Sequence, residues 1–382
     1  MRVTAESVRP GRRATAVVPG SGLRSHLCEP RLAALADGSI LLTYRAGSAR
    51  LSADGRVAVR RSEDGGRTWC DLGTPFSSGW RGHRGDQMLA TVVSTGGARV
   101  LAWIGWMDRD DTRPWRNRAT DGRLPLRILQ AESPDGGRSW HPLRQVDTAP
   151  FGQAVPQAIL RLADGGLVSS VETFKTYDDT GPWHYRAGII RSADDGATWP
   201  AATPAAEVDA CGTMWWDPRM AELADGRLVQ YYHAFDYPAG ADLPVHVAWS
   251  GDGGRTWSSP VSTGLRGQAS WPLALADGRV LLVQQRRHVP AGIVALLSTD
   301  GGRTFNEGDA VWVYQHPGET IGAADGSRDY FADMDGFTFG HPAAVALSGS
   351  RVLVAFYAGR RASTSIQLAT ISLEDFECPR RC

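Results

Sequence analysis

The sequence predicts an all-β fold: a six-bladed β-propeller of four-stranded antiparallel blades, with residues 1–382 as a single domain. Three observations predict it. A nine-residue phrase, RSEDGGRTW at 61–69, returns as ESPDGGRSW at 132, RSADDGATW at 191, WSGDGGRTW at 249 and LSTDGGRTF at 297. A second phrase interleaves with it: LADGSILLTY at 35, LADGGLVSSV at 162, LADGRLVQYY at 223 and LADGRVLLVQ at 275, with looser copies STGGARVLAW at 94 and LSGSRVLVAF at 347. Composition agrees, because 44 Gly, 22 Pro and 14 Trp with few helix-spaced runs favour turns and short strands.

Each copy of the second phrase reads as strand, two-residue turn, strand, since Asp-Gly and Gly-Gly tolerate the positive φ of tight hairpins. The turns fall at Asp37, Gly96, Asp164, Asp225, Asp277 and Ser348, which makes six hairpins, and the nine-residue phrase follows the first five. Hairpin, third strand, aspartate turn and fourth strand together form one sheet of a repeat array. The last unit lacks the aspartate turn. Its third strand is IQLATISLEDF at 366, and ATAVVPG at 14 is expected to supply its outer strand, joining the chain ends and covering a sheet edge. Within the nine-residue phrase, Asp64, Asp135, Asp194, Asp252 and Asp300 are expected to accept hydrogen bonds from their own turns while the Trp packs between sheets. The phrase is a fastener on the outer rim.

Lys plus Arg and Asp plus Glu both number 41, so nothing in the overall charge argues for nucleic acid or an anionic membrane surface. No run approaches 18 apolar residues and the first 20 residues lack an apolar stretch of signal-peptide length, which reads as a soluble, cytoplasmic chain. The five cysteines are scattered, with no C-x-x-C pair, and signal neither zinc nor a disulfide framework. No phosphate loop, dinucleotide fingerprint, G-x-S-x-G or H-E-x-x-H occurs, and no cofactor is expected.

Five aspartate turns on six units resemble the sialidase (neuraminidase) superfamily, whose BNR or Asp-box repeats use this turn; the resemblance covers almost the whole chain. It implies a carbohydrate substrate, three Arg clamping a carboxylate, a Tyr nucleophile activated by a Glu, and an Asp as general acid/base. An Arg fork suits that clamp because it pairs bidentately with a carboxylate. At the family's first Arg position, CEPRLAALADG holds Cys28, with Glu29 and Arg31 beside it. The acid/base Asp corresponds to Asp54 in SADGRVAVRRS, and the fourth-unit Glu and Arg correspond to Asp217 and His233. QQRRHVP supplies Arg286 and Arg287 for the fifth-unit Arg. At the Tyr position FTFGHPAAVALSG has Gly340, with His341 next to it and Tyr357 on the following strand.

The residues read by themselves lead to a related arrangement. EPRL at 29 and DPRM at 217 are the same device in the first and fourth units, which face each other in a ring of six. Strand alternation puts Glu29 with Arg31, and Asp217 with Arg219, on the ring's inner side. Two carboxylates flanking a sugar are the apparatus of glycoside hydrolysis; two salt bridges tying the ring together are the alternative. Further candidates for binding substrate are Arg45, Arg84, Asp86 and Trp215, with Trp183, Glu172 and Lys175 in a long third-unit loop. His341 is a candidate base, and with Asp333 and Asp335 it is weighed as a metal ligand, but no ligand spacing recurs.

These readings converge on an exo-acting hydrolase for a terminal acidic sugar. Glu29, Asp54, Asp217 and His341 are its catalytic candidates. Arg31, Arg45, Arg84, Asp86, Trp215, Arg219, His233, Arg286, Arg287 and Tyr357 are its binding candidates. Two alternatives stay open: a uronate-specific polysaccharide lyase, with His83, His233 or His341 as base, or another exoglycosidase on the same fold; and a non-catalytic carbohydrate-binding propeller.

Overall fold

The computed structural model describes residues 9–10, 15–18, 24–182, 186–207, 212–317 and 334–376. The described chain is all-β, with helix confined to short 3-10 turns such as Glu307–Asp309 and Leu373–Phe376. The six expected hairpins are present. Their first strands are His26–Ala34, His83–Gly96, Gln153–Arg161, Thr213–Glu222, Ser270–Ala274 and Phe339–Ala346, each paired antiparallel with the strand that follows.

The hydrogen-bonded sheets number five instead of six among the described residues, because the last and first units run together. A parallel bridge between Thr364 and His26 joins them. The Thr364 hydroxyl donates to the Leu27 carbonyl at 2.8 Å and accepts from the Leu27 N–H at 3.1 Å. Thr15–Val18 pairs antiparallel with Ser363–Ser372, as expected of the ATAVVPG segment. Arg9–Pro10 lies parallel to Val311–Gln315 at the edge of the fifth sheet, a pairing the sequence reading did not include.

Each of the six first strands touches the next, and the last touches the first. One cavity is bordered by all six, through residues such as Leu32, Val92, Ile159, Ala221, Trp271 and Val345. The apolar cores lie between successive units: Leu41 and Val59 pack on Ala90 and Ile104, and Val229 and Tyr231 pack on Leu282 and Val294. Burying such side chains contributes about 1.5–3 kcal/mol each.

The aspartate turns fasten these units. Asp135 accepts from the Ser139 N–H at 2.8 Å, the Ser139 hydroxyl at 2.6 Å and the Ser133 hydroxyl at 2.9 Å, while the Trp140 indole donates to the Gly137 carbonyl at 3.0 Å. Gly137 has φ +88°, and a Cβ there would lie 2.8 Å from Leu41 of the preceding unit. At Gly302 the equivalent Cβ would meet the Tyr231 hydroxyl at 2.3 Å. Glycine is required twice over, for the dihedral and for the close approach of one unit to the one before it.

Candidate active site

Five of the six first strands carry a register shift in their first half, at Cys28/Arg31, Gln87/Leu89, Pro156/Ala158, Trp216/Arg219 and Gly340/Ala343. A bulge of this kind inserts an extra residue and re-aims its side chain. In three strands the insert is a polar residue followed by proline, and the polar residue is left-handed: Glu29 at φ +53°, Asp217 at +51° and His341 at +47°. That region is strained for a residue with a Cβ, by about 1–2 kcal/mol. The bulged side chains Glu29, Met88, Gln157, Asp217 and His341 all border one cavity.

His341 is the hub. Its Nδ1 is 2.9 Å from Glu29 Oε2 and 3.7 Å from Asp217 Oδ1, and its Nε2 is 3.2 Å from Arg50 Nη2. Arg219 Nη2 also lies 3.0 Å from Nδ1. In the neutral tautomer with its proton on Nδ1 the ring donates to Glu29 and accepts from Arg50 at Nε2, and the Arg219 N–H goes to Asp217 Oδ1 at 3.2 Å. Burial pushes the imidazole pKa below its ordinary value, further than Glu29 and Asp217 pull it up. Burial alone would raise the Glu29 carboxyl, but His341, Arg50 at 3.3 Å and Arg31 at 3.7 Å hold it well below the usual range. Asp217 is likewise raised by burial and lowered more by His341 and by Arg219 at 3.2 Å. Both carboxylates are ionised at neutral pH.

Glu172 is the opposite case. It lies buried in the strand Leu167–Phe174, accepting from the Gln157 amide at 3.0 Å and from the Asp217 backbone N–H at 3.3 Å. Burial and the Asp217 charge together push its pKa up to about 8. At pH 7 this carboxyl carries a proton that it can give away, beside a carboxylate that carries none.

The remaining wall combines aliphatic residues such as Leu89, Leu126 and Val155 with cationic and aromatic ones. Arg50, Arg123 and Arg287 border the cavity together with Trp115, Phe174, Trp216 and Phe337. The Arg287 guanidinium stacks 3.6 Å from the Phe337 ring centre and donates to Gln268 Oε1 at 3.0 Å. Gln285 accepts from the His341 N–H at 2.8 Å and so fixes the third bulge.

Of the residues expected from the sequence, Glu29, Asp217, His341, Glu172, His233, Arg45 and Arg287 reach this cavity, Glu172 from within the strand Leu167–Phe174 and not from the loop that follows it. Arg31 and Arg219 lie beneath it, touching Glu29 and Asp217 but not bordering the cavity. Arg45 is occupied by Asp86 at 2.8 Å and by the Arg50 carbonyl at 2.7 Å, so it shapes the Arg50 turn. His233 is held by Asp242 at 2.7 Å.

Others depart from expectation. Asp54 is exposed and caps its own turn through the Ser48 N–H at 3.1 Å, away from the cavity. Arg84 is exposed and pairs with Asp110, and His83 pairs with Asp108 and Asp110 outside the cavity. Asp86 is buried between Arg45 and Arg109 and cannot meet a ligand. Trp215 packs edge-on against Tyr232 and His246, leaving its neighbour Trp216 to line the cavity. Arg286 turns to Glu307 and Trp312. Tyr357 is fully buried behind the wall, its hydroxyl 3.5 Å from Arg287 and its pKa raised by burial. Cys28, where the family resemblance puts an Arg, is buried with its thiol pushed up to about 12. Trp183 and Asp333 lie outside the described residues. Sequence reasoning did not single out Arg50, Arg123, Gln157, Gln285 or Phe337. Only the His341–Pro342 pair, a polar residue followed by proline as in Glu29–Pro30 and Asp217–Pro218, marks the third bulge in the sequence.

A fold built from these repeats defines the class of protein. The chain belongs to the BNR repeat-like domain family, whose match spans residues 114–352. A sialidase of Micromonospora viridifaciens is 28% identical over an alignment of 209 residues that covers 48% of this chain and 32% of that protein, so the chain spans about a third of the length of this curated relative. Two solved structures resemble it over most of its length. A Hadza microbial sialidase, Hz136, has a TM-score of 0.70 at 20% identity, covering 96% of this chain and 69% of that one. The α-L-arabinanase of Penicillium chrysogenum has a TM-score of 0.62 at 13% identity, covering 95% and 98%.

Proposed function

We propose that the six units close as a six-bladed propeller and that the cavity is the active site of a glycoside hydrolase acting on a terminal acidic sugar, such as a sialic acid. The ring of contacts among the six first strands supports the architecture. The observation that carries the function is the Glu172–Asp217 pair, one carboxyl raised to about 8 and its neighbour lowered. Glycoside hydrolysis uses such a pair, one member protonating the leaving oxygen and the other acting from the opposite face as base or nucleophile. In this reading Glu172 is the general acid and Asp217 the working carboxylate. Glu29 holds His341, and Arg50, Arg123 and Arg287 attract the sugar's acid group. The sialidase and arabinanase relatives support the reaction class.

The test compares Glu172→Gln with wild type on two glycosides of the same acidic sugar. An alkyl leaving group needs a proton, and a nitrophenyl group does not. We expect the variant to lose about 100-fold or more on the alkyl glycoside and far less on the activated one. Equal turnover of both substrates by variant and wild type refutes the assignment, and an ultraviolet-absorbing unsaturated product assigns a lyase instead.

A further inference from the structure

Glu172 stands in the apolar half of the cavity. In the strand pair of the third unit Val155 lies directly opposite Glu172, and opposed side chains of this kind sit about 5 Å apart on one face. Phe174, two residues on from Glu172, shares that face. Val155 and Leu126 belong to one apolar cluster, Met88, Trp115 and Phe174 pack against it, and all five border the cavity. The polar groups on this side are already engaged. The Gln157 amide donates to Glu172 at 3.0 Å. The Arg123 guanidinium lies 4.7 Å and 5.5 Å from the centres of the Trp115 and Phe174 rings and donates to the Asp121 carbonyl at 2.8 Å.

Other cations sort to the far side. Arg50 comes from the first unit and donates to the Met334 carbonyl at 2.9 Å, and Arg287 comes from the fifth and stacks on Phe337. The first strands touch in the order of the units, so the second and third units, which carry the apolar cluster, stand across from the fifth and sixth. A proton given up by Glu172 goes to the glycosidic oxygen, so the group bonded to that oxygen lies beside Glu172. There it meets carbon. A sugar in this place would bury hydroxyls without replacing their hydrogen bonds to water, which is costly, whereas an alkyl or aryl group gains by leaving water. We propose that the cavity takes glycosides whose leaving group is an apolar alcohol or phenol, seated on Met88, Trp115, Leu126, Val155 and Phe174, with the sugar's acid group turned toward Arg50 and Arg287. This rests on the glycosidase reading and adds to it the class of leaving group. An apolar group seated there also keeps water from Glu172 and so maintains the burial that, with the Asp217 charge, holds its pKa up at about 8.

The probes are methyl, propyl and hexyl glycosides of N-acetylneuraminic acid, titrated by calorimetry into Glu172→Gln so that cleavage does not intervene. We expect affinity to rise about three- to fourfold per added methylene, the transfer of one CH2 out of water. Met88→Gln in the same background should flatten that rise, and Met88→Leu should restore it. Equal affinity along the series overturns the proposal, and so does a rise that Met88→Gln leaves unchanged. The two readings fail separately. If wild type turns over the methyl glycoside but the affinity series is flat, the hydrolase stands and the apolar seat falls. If wild type cleaves no member while the series still rises and Met88→Gln flattens it, the seat stands and the hydrolase falls. No binding by any member sinks both.

Discussion

Replacing Asp217 by Asn tests the acid assignment at its physical root. Glu172 is raised from 4.5 to about 8 by its burial and by the ionised carboxylate of Asp217. A shift of that size corresponds to about 5 kcal/mol of preference for the neutral form, at about 1.4 kcal/mol per unit. The substitution removes the like charge and leaves the burial, so the Glu172 midpoint should fall by about 1–2 units, the usual effect of a nearby charge. The assay is the carboxyl carbon resonance in protein labelled with carbon-13 glutamate, identified as the signal lost in Glu172→Gln. In wild type its midpoint should match the alkaline limb of kcat/KM. A wild-type midpoint in the ordinary carboxylate range, or the same midpoint in Asp217→Asn, would refute the idea that the neighbouring charge keeps Glu172 protonated.

The same group makes stability depend on pH. Because its folded value is raised, its contribution is fully present below about pH 4.5 and is lost as pH rises toward about 8, by up to about 5 kcal/mol. Urea midpoints at pH 5 and pH 8 should therefore differ, and Glu172→Gln should narrow the difference. Asp300→Ala removes an acceptor of four hydrogen bonds, from the Ser298 and Thr304 hydroxyls and the Arg303 and Thr304 N–H groups, and should destabilise the protein by about 1–2 kcal/mol with KM unchanged; a changed KM would mean the fastener reaches the site. Asp54→Asn should leave kcat/KM within about twofold, since its contacts stay within its own turn; a loss of 100-fold would restore it as the acid/base group.

The fold was legible because its signals are local. A turn such as Leu35–Asp37–Gly38 announces a hairpin through its own dihedrals, and Asp135 satisfies its turn with groups at most four residues away. Even the closing strand was legible, since three of the four residues of Thr15–Val18 are β-branched and the last unit lacked a partner. The merged sheet was not. It depends on one threonine, Thr364, meeting Leu27 from the far end of the chain, and no local pattern marks such a contact.

The site was only half legible, and the bulges explain which half. Period-two alternation places Glu29 and Arg31 on one face, and likewise Asp217 and Arg219. An inserted residue breaks that parity. Between Cys28 and Arg31 the strand advances three residues while its partner advances two, from Arg45 to Thr43. Glu29 is thereby turned up into the cavity while Arg31 stays beneath it, and Asp217 and Arg219 separate in the same way across Trp216/Arg219. The carboxylates found by sequence are the right ones, but the arginines expected to grip the substrate became its floor. Their place on the wall is taken by Arg50, Arg123 and Arg287, which come from a turn, a loop and the end of a strand, where no strand parity applies. Glu29 and Asp217 were expected to face each other across a gap. With left-handed bulges they instead meet on one imidazole, His341, because three strained residues from three strands are aimed at the same point. Strain of that kind persists only where the surroundings over-determine it, and here Gln285 on the His341 N–H and Glu172 on the Asp217 N–H hold two of the three in place.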